Sequence, residues 1–565
     1  MKHRFSLAIL AAGLLLAGAA RAADAALPHL EKRGAATQLV VDGKPFLVLG
    51  GETANTASSS LDYMATVWPR LAKMNLNTAL VGIAWDWIEP EEGKFDFTTV
   101  DGMLRQAREQ KMHVAIVWFG SWKNGLSSFA PAWVKRDQQR FPRVRIKSGK
   151  SVEILSVFND ASRDADARAF GALLRHVREN DPQHTVIMVQ VENEVGILGD
   201  SRDRLPAADA AWTQPVPSEV IARVRSEAAW PALKKVWQDA GAKTAGAWAE
   251  VFGTSTAAEE IFQAWHYARY MDRVAAAGKA ELLIPFFTNT WIVQPEDKGP
   301  GDYPTGGPEP LTIDLWRVGA PHIDLNCPDI YLPNFAEWVG RFHRADNPLF
   351  VPESRGDAGG VANAMFAIGA HHALGYSPFG IDNAGRLTTL RPDATATPPT
   401  EIENLPLPRG YALLQQMAPV ILDCQAKDTI ATVLLSTEHQ TEDIALGNYT
   451  VNVDLRRNRR NPSQVPASGY AMVLNVGPDE YFVVGADTQV IFYPRPATGE
   501  IVGFAQAEIG EFVNGAWKPG RRMNGDDILL RYDLAEAADK NQSGSGLRFN
   551  GTTPSVQHVK LYRYR

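Results

Sequence analysis

The stretch Val186-Ile187-Met188-Val189-Gln190-Val191-Glu192-Asn193-Glu194 joins a mostly apolar run to two carboxylates that flank an amide. A short Val- and Ile-rich run without regular alternation is typical of a strand in a parallel sheet that is buried on both faces. In a barrel built from such strands, the functional groups lie at the carboxyl ends of the strands. The stretch therefore predicts a barrel strand with a polar site at its end.

Seven further runs of this kind occur between residues 27 and 422, separated by amphipathic or loop-rich stretches. A strand followed by a helix, repeated eight times, predicts an α/β fold, the (β/α)8 TIM barrel. We assign residues 23–425 to this catalytic barrel and interpret Gly199–Ala249, which contains four prolines, as an insertion. The other seven runs are Phe46–Gly50, Thr78–Trp85, His113–Phe119, Leu282–Thr288, His322–Asp329, Leu349–Pro352 and Tyr376–Ile381.

The pattern changes after Leu422. Short strand-like runs follow one another, separated by turn signals such as Asn514-Gly515, and no helical period is sustained. Residues 426–565 are therefore predicted to form a smaller all-β, sandwich-like domain. Because no exposed aromatic row at strand period is evident, we expect this domain to brace the barrel rather than to bind polysaccharide.

The first 22 residues have the composition of a secretory signal peptide. Lys2 and Arg4 precede an apolar run that ends in Ala20-Arg21-Ala22. We expect cleavage after Ala22 and an exported protein, either periplasmic or secreted. Its only two cysteines, Cys327 and Cys424, are either disulfide-bonded or two buried thiols.

The overall charge excludes some classes of partner. The 565 residues carry 57 Lys and Arg against 64 Asp and Glu, a net charge of −7. This balance gives no general attraction to nucleic acid or to an anionic membrane, so neither is an expected partner. Whether the chain forms a homo-oligomer stays open at this point.

A second mostly apolar run, Leu349-Phe350-Val351-Pro352-Glu353, also ends in a carboxylate. Counting strands places Glu194 after the fourth strand and Glu353 after the seventh, and a barrel brings both to one mouth. Two carboxyl groups across a pocket suit glycoside hydrolysis, in which one donates a proton and the other attacks the sugar or activates water. The residues alone leave retention and inversion of configuration open, because the distance between the carboxyl groups decides.

These residues resemble a known family. Gln190-Val191-Glu192-Asn193-Glu194 followed by Gly196 is similar to the Gln-Val-Glu-Asn-Glu-aromatic-Gly signature of glycoside hydrolase family 35, the β-galactosidases of clan A. The resemblance implies that Glu194 is the acid/base, that Glu353 is the nucleophile, that Asn193 binds the sugar 2-hydroxyl, and that the mechanism retains configuration. Supporting matches are Gly51-Glu52, Trp85-Asp86-Trp87-Ile88-Glu89-Pro90 and Pro131-Ala132-Trp133.

Departures from the signature define the branch. Val195 replaces the aromatic residue, and Ile88 replaces a histidine of the family's second motif. The chain resembles a divergent bacterial branch with an all-β C-terminal domain, which is associated with removing galactose from plant xyloglucan side chains. The resemblance implies an exo-acting β-galactosidase with a carbohydrate substrate. The alternatives are another clan A hydrolase, such as a family 42 β-galactosidase or a β-glucanase, and a catalytically inactive carbohydrate-binding barrel.

Other polar and aromatic residues at the predicted strand ends are candidates for sugar contacts, because aromatic rings stack on the apolar face of a pyranose. Glu192 is expected to face the barrel and to hold neighbouring Arg or Asn side chains. No metal-binding spacing and no nucleotide-binding loop is present in the sequence, so we expect no metal and no cofactor. The candidate sugar contacts are Glu52, Trp85, Trp122, Trp133, Asn289, Trp291 and Tyr331.

Overall fold

The computed structural model describes residues 26–384, 401–456, 465–496, 499–531 and 544–565. The predicted signal peptide, residues 1–22, lies outside these ranges, so export stays a prediction. Among the described residues, no helix is both long enough and apolar enough to cross a membrane.

The strands of the first 378 residues form three sheets. An antiparallel sheet of β1–β3 opens the chain, the small hairpin of β7 and β8 lies between barrel strands, and the remaining eight strands close into a barrel in the order β10-β11-β12-β13-β4-β5-β6-β9. The strands are β1 (His29–Arg33), β2 (Ala36–Val41), β3 (Lys44–Phe46), β4 (Val48–Glu52), β5 (Thr78–Ala84), β6 (His113–Lys123), β7 (Arg143–Arg145), β8 (Ser151–Leu155), β9 (Val186–Asn193), β10 (Phe286–Trp291), β11 (Leu325–Ile330), β12 (Val351–Ser354) and β13 (Gly375–Pro378).

The predicted TIM barrel is confirmed. Each of the eight predicted runs contributes one barrel strand, and neighbouring barrel strands pair in parallel. Their side chains are buried on both faces, which explains why these strands lack an alternating pattern. The helices that connect and cover the strands are α1 (Leu61–Lys73), α2 (Trp85–Ile88), α3 (Thr98–Glu109), α4 (Ala132–Arg136), α5 (Asp160–Asn180), α6 (Pro206–Trp212), α7 (Ser218–Arg225), α8 (Pro231–Asp239), α9 (Trp248–Phe252), α10 (Thr256–Glu281), α11 (Ile313–Gly319), α12 (Phe335–Phe342), α13 (Ala358–Ala370) and α14 (Pro406–Lys427).

The N-terminal sheet closes one end of the barrel. Leu39 and Val41 of β2 belong to the same apolar cluster as the inward-facing residues of the barrel strands. On the other side, the Gln38 side-chain amide donates to the Leu422 carbonyl of α14 at 2.7 Å. The sequence prediction assigned these residues to the barrel and did not include the β1–β3 sheet. The three strands of this sheet are too short to show a period.

The predicted insertion after β9 carries the short helices α6 to α9. Pro206 and Pro231 occupy the first turns of α6 and α8, where the missing N–H of proline has no intrahelical partner to lose. Apolar residues from these helices pack with α10 in a separate cluster.

The C-terminal region forms two antiparallel sheets whose facing apolar residues make one core. The orders are β14-β17-β18-β24-β20-β21 and β15-β16-β19-β23-β22, so the all-β, sandwich-like prediction is confirmed. The strands are β14 (Ile430–Ser436), β15 (Thr441–Leu446), β16 (Tyr449–Leu455), β17 (Ser468–Gly477), β18 (Glu480–Ala486), β19 (Thr488–Pro494), β20 (Ile501–Val513), β21 (Ala516–Arg522), β22 (Leu529–Arg531), β23 (Gly544–Arg548) and β24 (Ser555–Tyr564).

Both cysteines are free and buried. Cys327 lies on β11 within the barrel core, and Cys424 lies on α14. Of the two alternatives that the sequence left open, the structure has the two buried thiols.

Candidate active site

Four carboxyl groups lie at the ends of four barrel strands. Glu52 ends β4, Glu194 follows β9, Asp329 lies near the end of β11, and Glu353 lies near the end of β12. Each residue is at most 6% exposed. One carboxylate oxygen from each of Glu194, Asp329 and Glu353 lies within 4.8 Å of the other two. The two carboxylates that the sequence separates by 159 positions therefore share one site, as predicted.

Glu353 accepts hydrogen bonds on both carboxylate oxygens. The side-chain amides of Asn193 and Asn289 each donate to Oε1 at 3.2 Å, and the Tyr331 hydroxyl donates to Oε2 at 2.9 Å. Three donors fix the orientation of this carboxylate. This environment suits a nucleophile.

Asn289 links the site to the strand that carries Glu194. Its Oδ1 accepts the Glu194 backbone N–H at 2.9 Å, and its Nδ2 donates to Asp329 at 2.7 Å as well as to Glu353. One amide on β10 therefore sets the relative positions of groups that belong to β9, β11 and β12. Asn289 was predicted as a sugar contact, and the structure places it within the carboxylate cluster.

The backbone at the end of β9 departs from a regular strand. Glu192 and Glu194 both have positive φ values, 59° and 46°. Two such residues in close succession interrupt the regular alternation of side chains along the strand. Non-glycine residues in this region are strained, and such strain is concentrated at functional sites.

Glu192 holds a bulge in the neighbouring strand β6. Its carboxylate accepts the backbone N–H groups of Gly120, Ser121 and Trp122 at 3.2, 2.9 and 2.8 Å. Between Trp118 and Lys123 the strand β6 therefore carries extra residues relative to β9. The expectation that Glu192 would hold Arg or Asn side chains was wrong, because backbone amides occupy its oxygens.

The bulge delivers Lys123 to the site. Its ammonium group donates to Asn193 Oδ1 at 2.8 Å, and the residue is 6% exposed. This buried cation lies close enough to lower the pKa values of Glu52 and Glu194. It partly balances the negative charge of the cluster.

Burial and mutual repulsion raise the pKa values of three of the four carboxyl groups. Burial and the Glu353 charge raise the pKa of Glu194 to about 8, although Lys123 and a hydrogen bond with Asp329 act in the opposite direction. Burial and the charges of Glu353 and Glu194 also raise the pKa of Asp329 well above its ordinary value. The pKa of Glu52 is raised well above its ordinary value, chiefly by burial and by Glu353. At neutral pH, Glu194 therefore retains its proton beside a hydrogen-bonded carboxylate.

Five aromatic residues were predicted as sugar contacts. The structure places two of them near the carboxylate cluster and packs the other three against protein side chains. Tyr331 contacts Glu353 and is 41% exposed, and Trp291 ends β10 in register with Asp329. Trp85 and Trp133 instead pack edge to face at 5.7 Å, and both donate their N–H groups to Glu89.

Trp122 also packs away from the carboxylates. Its N–H group donates to the Leu155 carbonyl, and its ring packs against Tyr267 and Tyr270. For Trp85, Trp122 and Trp133, the hydrogen-bonding groups are used inside the protein, and a role in sugar binding stays a prediction.

Carboxylate oxygens are the donors that hard cations prefer, and Glu194, Asp329 and Glu353 form such a set. In this structure, however, Glu353 already accepts three hydrogen bonds, and Lys123 supplies a positive charge nearby. The expectation of a site without metal or cofactor stays a prediction.

Comparison with known families gives two partial matches. Residues 62–216 match the family model "Beta-galactosidase" of glycoside hydrolase family 42. A β-galactosidase from Xanthomonas manihotis is 29% identical over 205 residues, which are 35% of this chain and 31% of that protein. The barrel is β-galactosidase-like. Family 42 was one of the alternatives, and the assignment to family 35 is not confirmed by these matches.

Two solved structures and a second family model complete the comparison. The β-galactosidase from Bacillus circulans sp. alkalophilus has 15% identity and a TM-score of 0.45, with 67% of this chain and 57% of that chain covered. The cold-adapted β-galactosidase from Rahnella sp. R3 has 17% identity and a TM-score of 0.42, with 60% and 50% covered. Residues 407–533 match a domain of unknown function, DUF5597.

Sequence reasoning missed two residues of the candidate site, Asp329 and Lys123. Asp329 was the last residue of a predicted strand, so the strand-end rule that selected Glu194 also points to it. Lys123 lies four residues beyond the predicted end of its strand at Phe119. Its position depends on a bulge that residues of another strand stabilise, and no local signal reveals it.

Proposed function

We propose that the protein is a glycoside hydrolase that releases terminal β-galactosyl residues with retention of configuration. The observation that carries this proposal is the pair Glu194 and Glu353, whose carboxylate oxygens lie within 4.8 Å of each other. The pKa of Glu194 is raised to about 8, whereas Glu353 accepts three hydrogen bonds. A short separation leaves no room for a water between the carboxyl groups and the sugar, and favours a covalent intermediate over direct attack by water.

In the first step, Glu353 attacks the anomeric carbon while Glu194 transfers its proton to the glycosidic oxygen. The C–O bond to the leaving group breaks, and a glycosyl ester of Glu353 forms. Glu194, now ionised, then removes a proton from water, and the resulting hydroxide displaces Glu353 from the anomeric carbon. Two inversions restore the original configuration and return both residues to their starting states.

The neighbouring residues act on Glu353 and on the sugar. Tyr331 and Asn289 hold Glu353 in one orientation, which reduces the entropy that the attack must lose. Asn193, whose amide lies between Glu353 and Lys123, is proposed to bind the 2-hydroxyl, an interaction that strengthens in the transition state.

The proposed substrate is galactose at the side-chain ends of plant xyloglucan. The support is the resemblance of the motifs around Glu194 and Glu89 to the branch described above, together with the match to a β-galactosidase model. Export, which would bring the protein to such polymers, is part of the same proposal. The chain spans about a third of the length of its Xanthomonas relative, so the relative's name does not carry over to the whole protein.

A family 42 β-galactosidase is the second candidate, favoured by the family model that matches residues 62–216. It shares the two-carboxylate mechanism and differs in the substrates accepted. A comparison of nitrophenyl β-galactoside, lactose and galactosylated xyloglucan oligosaccharides separates the two candidates. Preferential release of galactose from xyloglucan supports the first.

The deciding experiment is hydrolysis of a panel of nitrophenyl glycosides by the wild type and by Glu194→Gln and Glu353→Gln. We expect β-galactoside cleavage, a loss of about 10³-fold or more in each variant, and a β-configured sugar as the first product by NMR. Glu91→Gln, at an exposed ion pair with Lys94, is the matched control. Cleavage of β-glucosides alone, or sugar binding without turnover, would overturn the proposal.

A further inference from the structure

A cavity lies at the carboxyl ends of the barrel strands, the end that also carries the four carboxyl groups. It has a volume of about 410 Å³ and is lined by residues that directly follow β10 and β11. Those two strands carry Asn289, Trp291, Asp329 and Tyr331 at their ends. The cavity therefore lies beyond the carboxyl ends of two strands that contribute to the candidate active site, and its lining includes neither Glu194 nor Glu353. Its polar and aromatic lining residues include Trp230, Glu260, Tyr303, Glu309, Trp338 and Arg341.

The carboxyl group of Glu309 is the notable feature of this cavity. The residue is only 2% exposed, and neither of its carboxylate oxygens has a hydrogen-bond partner. A buried polar group without partners is costly, and native proteins keep few of them without a reason. The Trp338 ring N–H, at the same cavity, is also buried and unpartnered. Together these atoms offer hydrogen bonds that the protein itself does not use.

The other carboxyl group of the cavity is satisfied. Both oxygens of Glu260 accept from the Tyr303 hydroxyl at 2.9 Å. Burial, together with the charge of Glu260, raises the pKa of Glu309 well above its ordinary value. Burial therefore favours the protonated form of Glu309, which can both donate and accept a hydrogen bond.

Flat apolar surface accompanies these polar groups. The Trp338 and Trp230 rings line the cavity, and the guanidinium of Arg341 lies 4.5 Å from the centre of the Trp338 ring. An aromatic surface with a few precisely placed hydrogen-bonding groups is the usual composition of a pocket for a small polar ligand. A hydroxylated ring supplies both requirements, because its C–H face packs on indole and its hydroxyl groups pair with Glu309 and Trp338.

We propose that this cavity is a second carbohydrate subsite, which binds an uncharged pyranose ring of the substrate beyond the bond that is cleaved. The identity of the ligand as a carbohydrate rests on the proposed function. The position of the subsite rests on Glu309, Trp338 and Trp230. A neutral ring fits this site, because its hydroxyl groups can pair with Glu309 and Trp338 while its C–H face packs on the indole rings.

The test is direct binding of cellobiose, a neutral disaccharide without galactose, measured by calorimetry on the full chain. We expect binding by the wild type, and a weakening of about tenfold in Trp338→Ala and in Glu309→Ala. Glu309→Gln keeps both a donor and an acceptor, so it should retain most of the binding. Trp338→Phe keeps a ring but removes the N–H group, and we expect a smaller loss. Trp237→Ala, at a tryptophan whose N–H donates to Lys243, is the matched control and should bind as the wild type does. Melting curves confirm that each variant folds.

Unchanged cellobiose binding in Glu309→Ala and Trp338→Ala would overturn the subsite, as would the absence of cellobiose binding by the wild type. Tighter binding of charged galacturonate or glucosamine than of cellobiose would overturn the proposal that the subsite prefers an uncharged ring. Failure of the proposed function is distinguishable, because it leaves binding through Trp338 intact while the nitrophenyl panel shows no cleavage. In the reverse case, the enzyme cleaves galactosides but substitution of Trp338 and Glu309 does not change cellobiose binding, so the proposed function holds and the subsite does not.

Discussion

Glu194 and Asp329, on neighbouring parts of the barrel mouth, have carboxyl oxygens within 4.8 Å of each other, and both groups are buried. A hydrogen bond between the two carboxyl groups lowers the pKa of Glu194 and raises that of Asp329. A protonated Asp329 can therefore donate a hydrogen bond to Glu194. The protonation of the proposed acid depends on a residue that does not itself take part in the bond changes.

The first prediction concerns pH. Because the pKa of Glu194 is raised to about 8, the acid is protonated below that pH and loses its proton above it. We expect kcat/KM for nitrophenyl β-galactoside to fall about tenfold for each pH unit above that point. A dinitrophenyl galactoside needs little protonation of its leaving group, so in Glu194→Gln its hydrolysis should show no alkaline fall. A fall at the same pH in that variant would assign the ionisation to another group.

Asp329→Ala and Asp329→Asn test the positioning role of Asp329. The alanine variant removes the hydrogen bond that lowers the pKa of Glu194, so the alkaline limb should move to higher pH. It also removes the acceptor of Asn289, and we expect kcat/KM to drop about tenfold. Asparagine can both accept from Asn289 and donate to Glu194, so it should restore most of the rate. An equal loss in both variants with no movement of the limb would contradict this role.

Lys123→Met removes the buried cation while keeping the length of the side chain. Lys123 lowers the pKa values of Glu194 and Glu52, so both should rise in the variant. We expect the alkaline limb to move upwards and kcat to fall by about 10²-fold, because Asn193 loses its partner and the nucleophile loses a compensating charge. Lys135→Met, whose ammonium donates to the Ser128 carbonyl, is the control. A wild-type pH profile in Lys123→Met would exclude the electrostatic effect.

Tyr331→Phe removes one of three hydrogen bonds to Glu353. A hydrogen bond to a charged group contributes about 1.5–3 kcal/mol, so kcat/KM should fall about 10- to 100-fold. If Tyr331 orients the nucleophile, kcat carries the loss and KM changes little. A rise in KM alone would instead assign Tyr331 to ground-state sugar binding.

The two thiols give a prediction about stability. Cys327 and Cys424 are free and buried, and burial raises the pKa values of both. We expect a thiol-reactive dye to label neither cysteine in the folded protein and both after denaturation. A reducing agent should leave the melting temperature unchanged. A lower melting temperature under reduction would indicate a disulfide.

The barrel and its two catalytic candidates were predictable from the sequence because their signals are local. An apolar run that ends in a carboxylate, such as Leu349 to Glu353, predicts both a barrel strand and the functional group at its end. Trp85 and Trp133 were harder, since a ring that packs on another ring and a ring that stacks on a sugar look the same in sequence.

Lys123 could not be found in this way. Its place depends on the extra residues of β6, whose N–H groups are held by Glu192 from β9. Gly120 is required there, since a Cβ atom would lie 2.4 Å from Glu192 Oε1. Interactions between distant segments of the chain thus decide the details of the site that strand patterns leave open.

The short sheet at the closed end of the barrel determines how the chain can be divided. Its loop at Ala35 donates to the Ala426 carbonyl, and Gln38 donates to the Leu422 carbonyl, so α14 supports it directly. The predicted boundary after residue 425 falls inside α14, which ends at Lys427. A fragment cut at that point would lose the acceptor of Ala35 and the apolar contacts that the β-sandwich makes with α13 and α14. The barrel and the domain that follows it are one unit for expression and truncation.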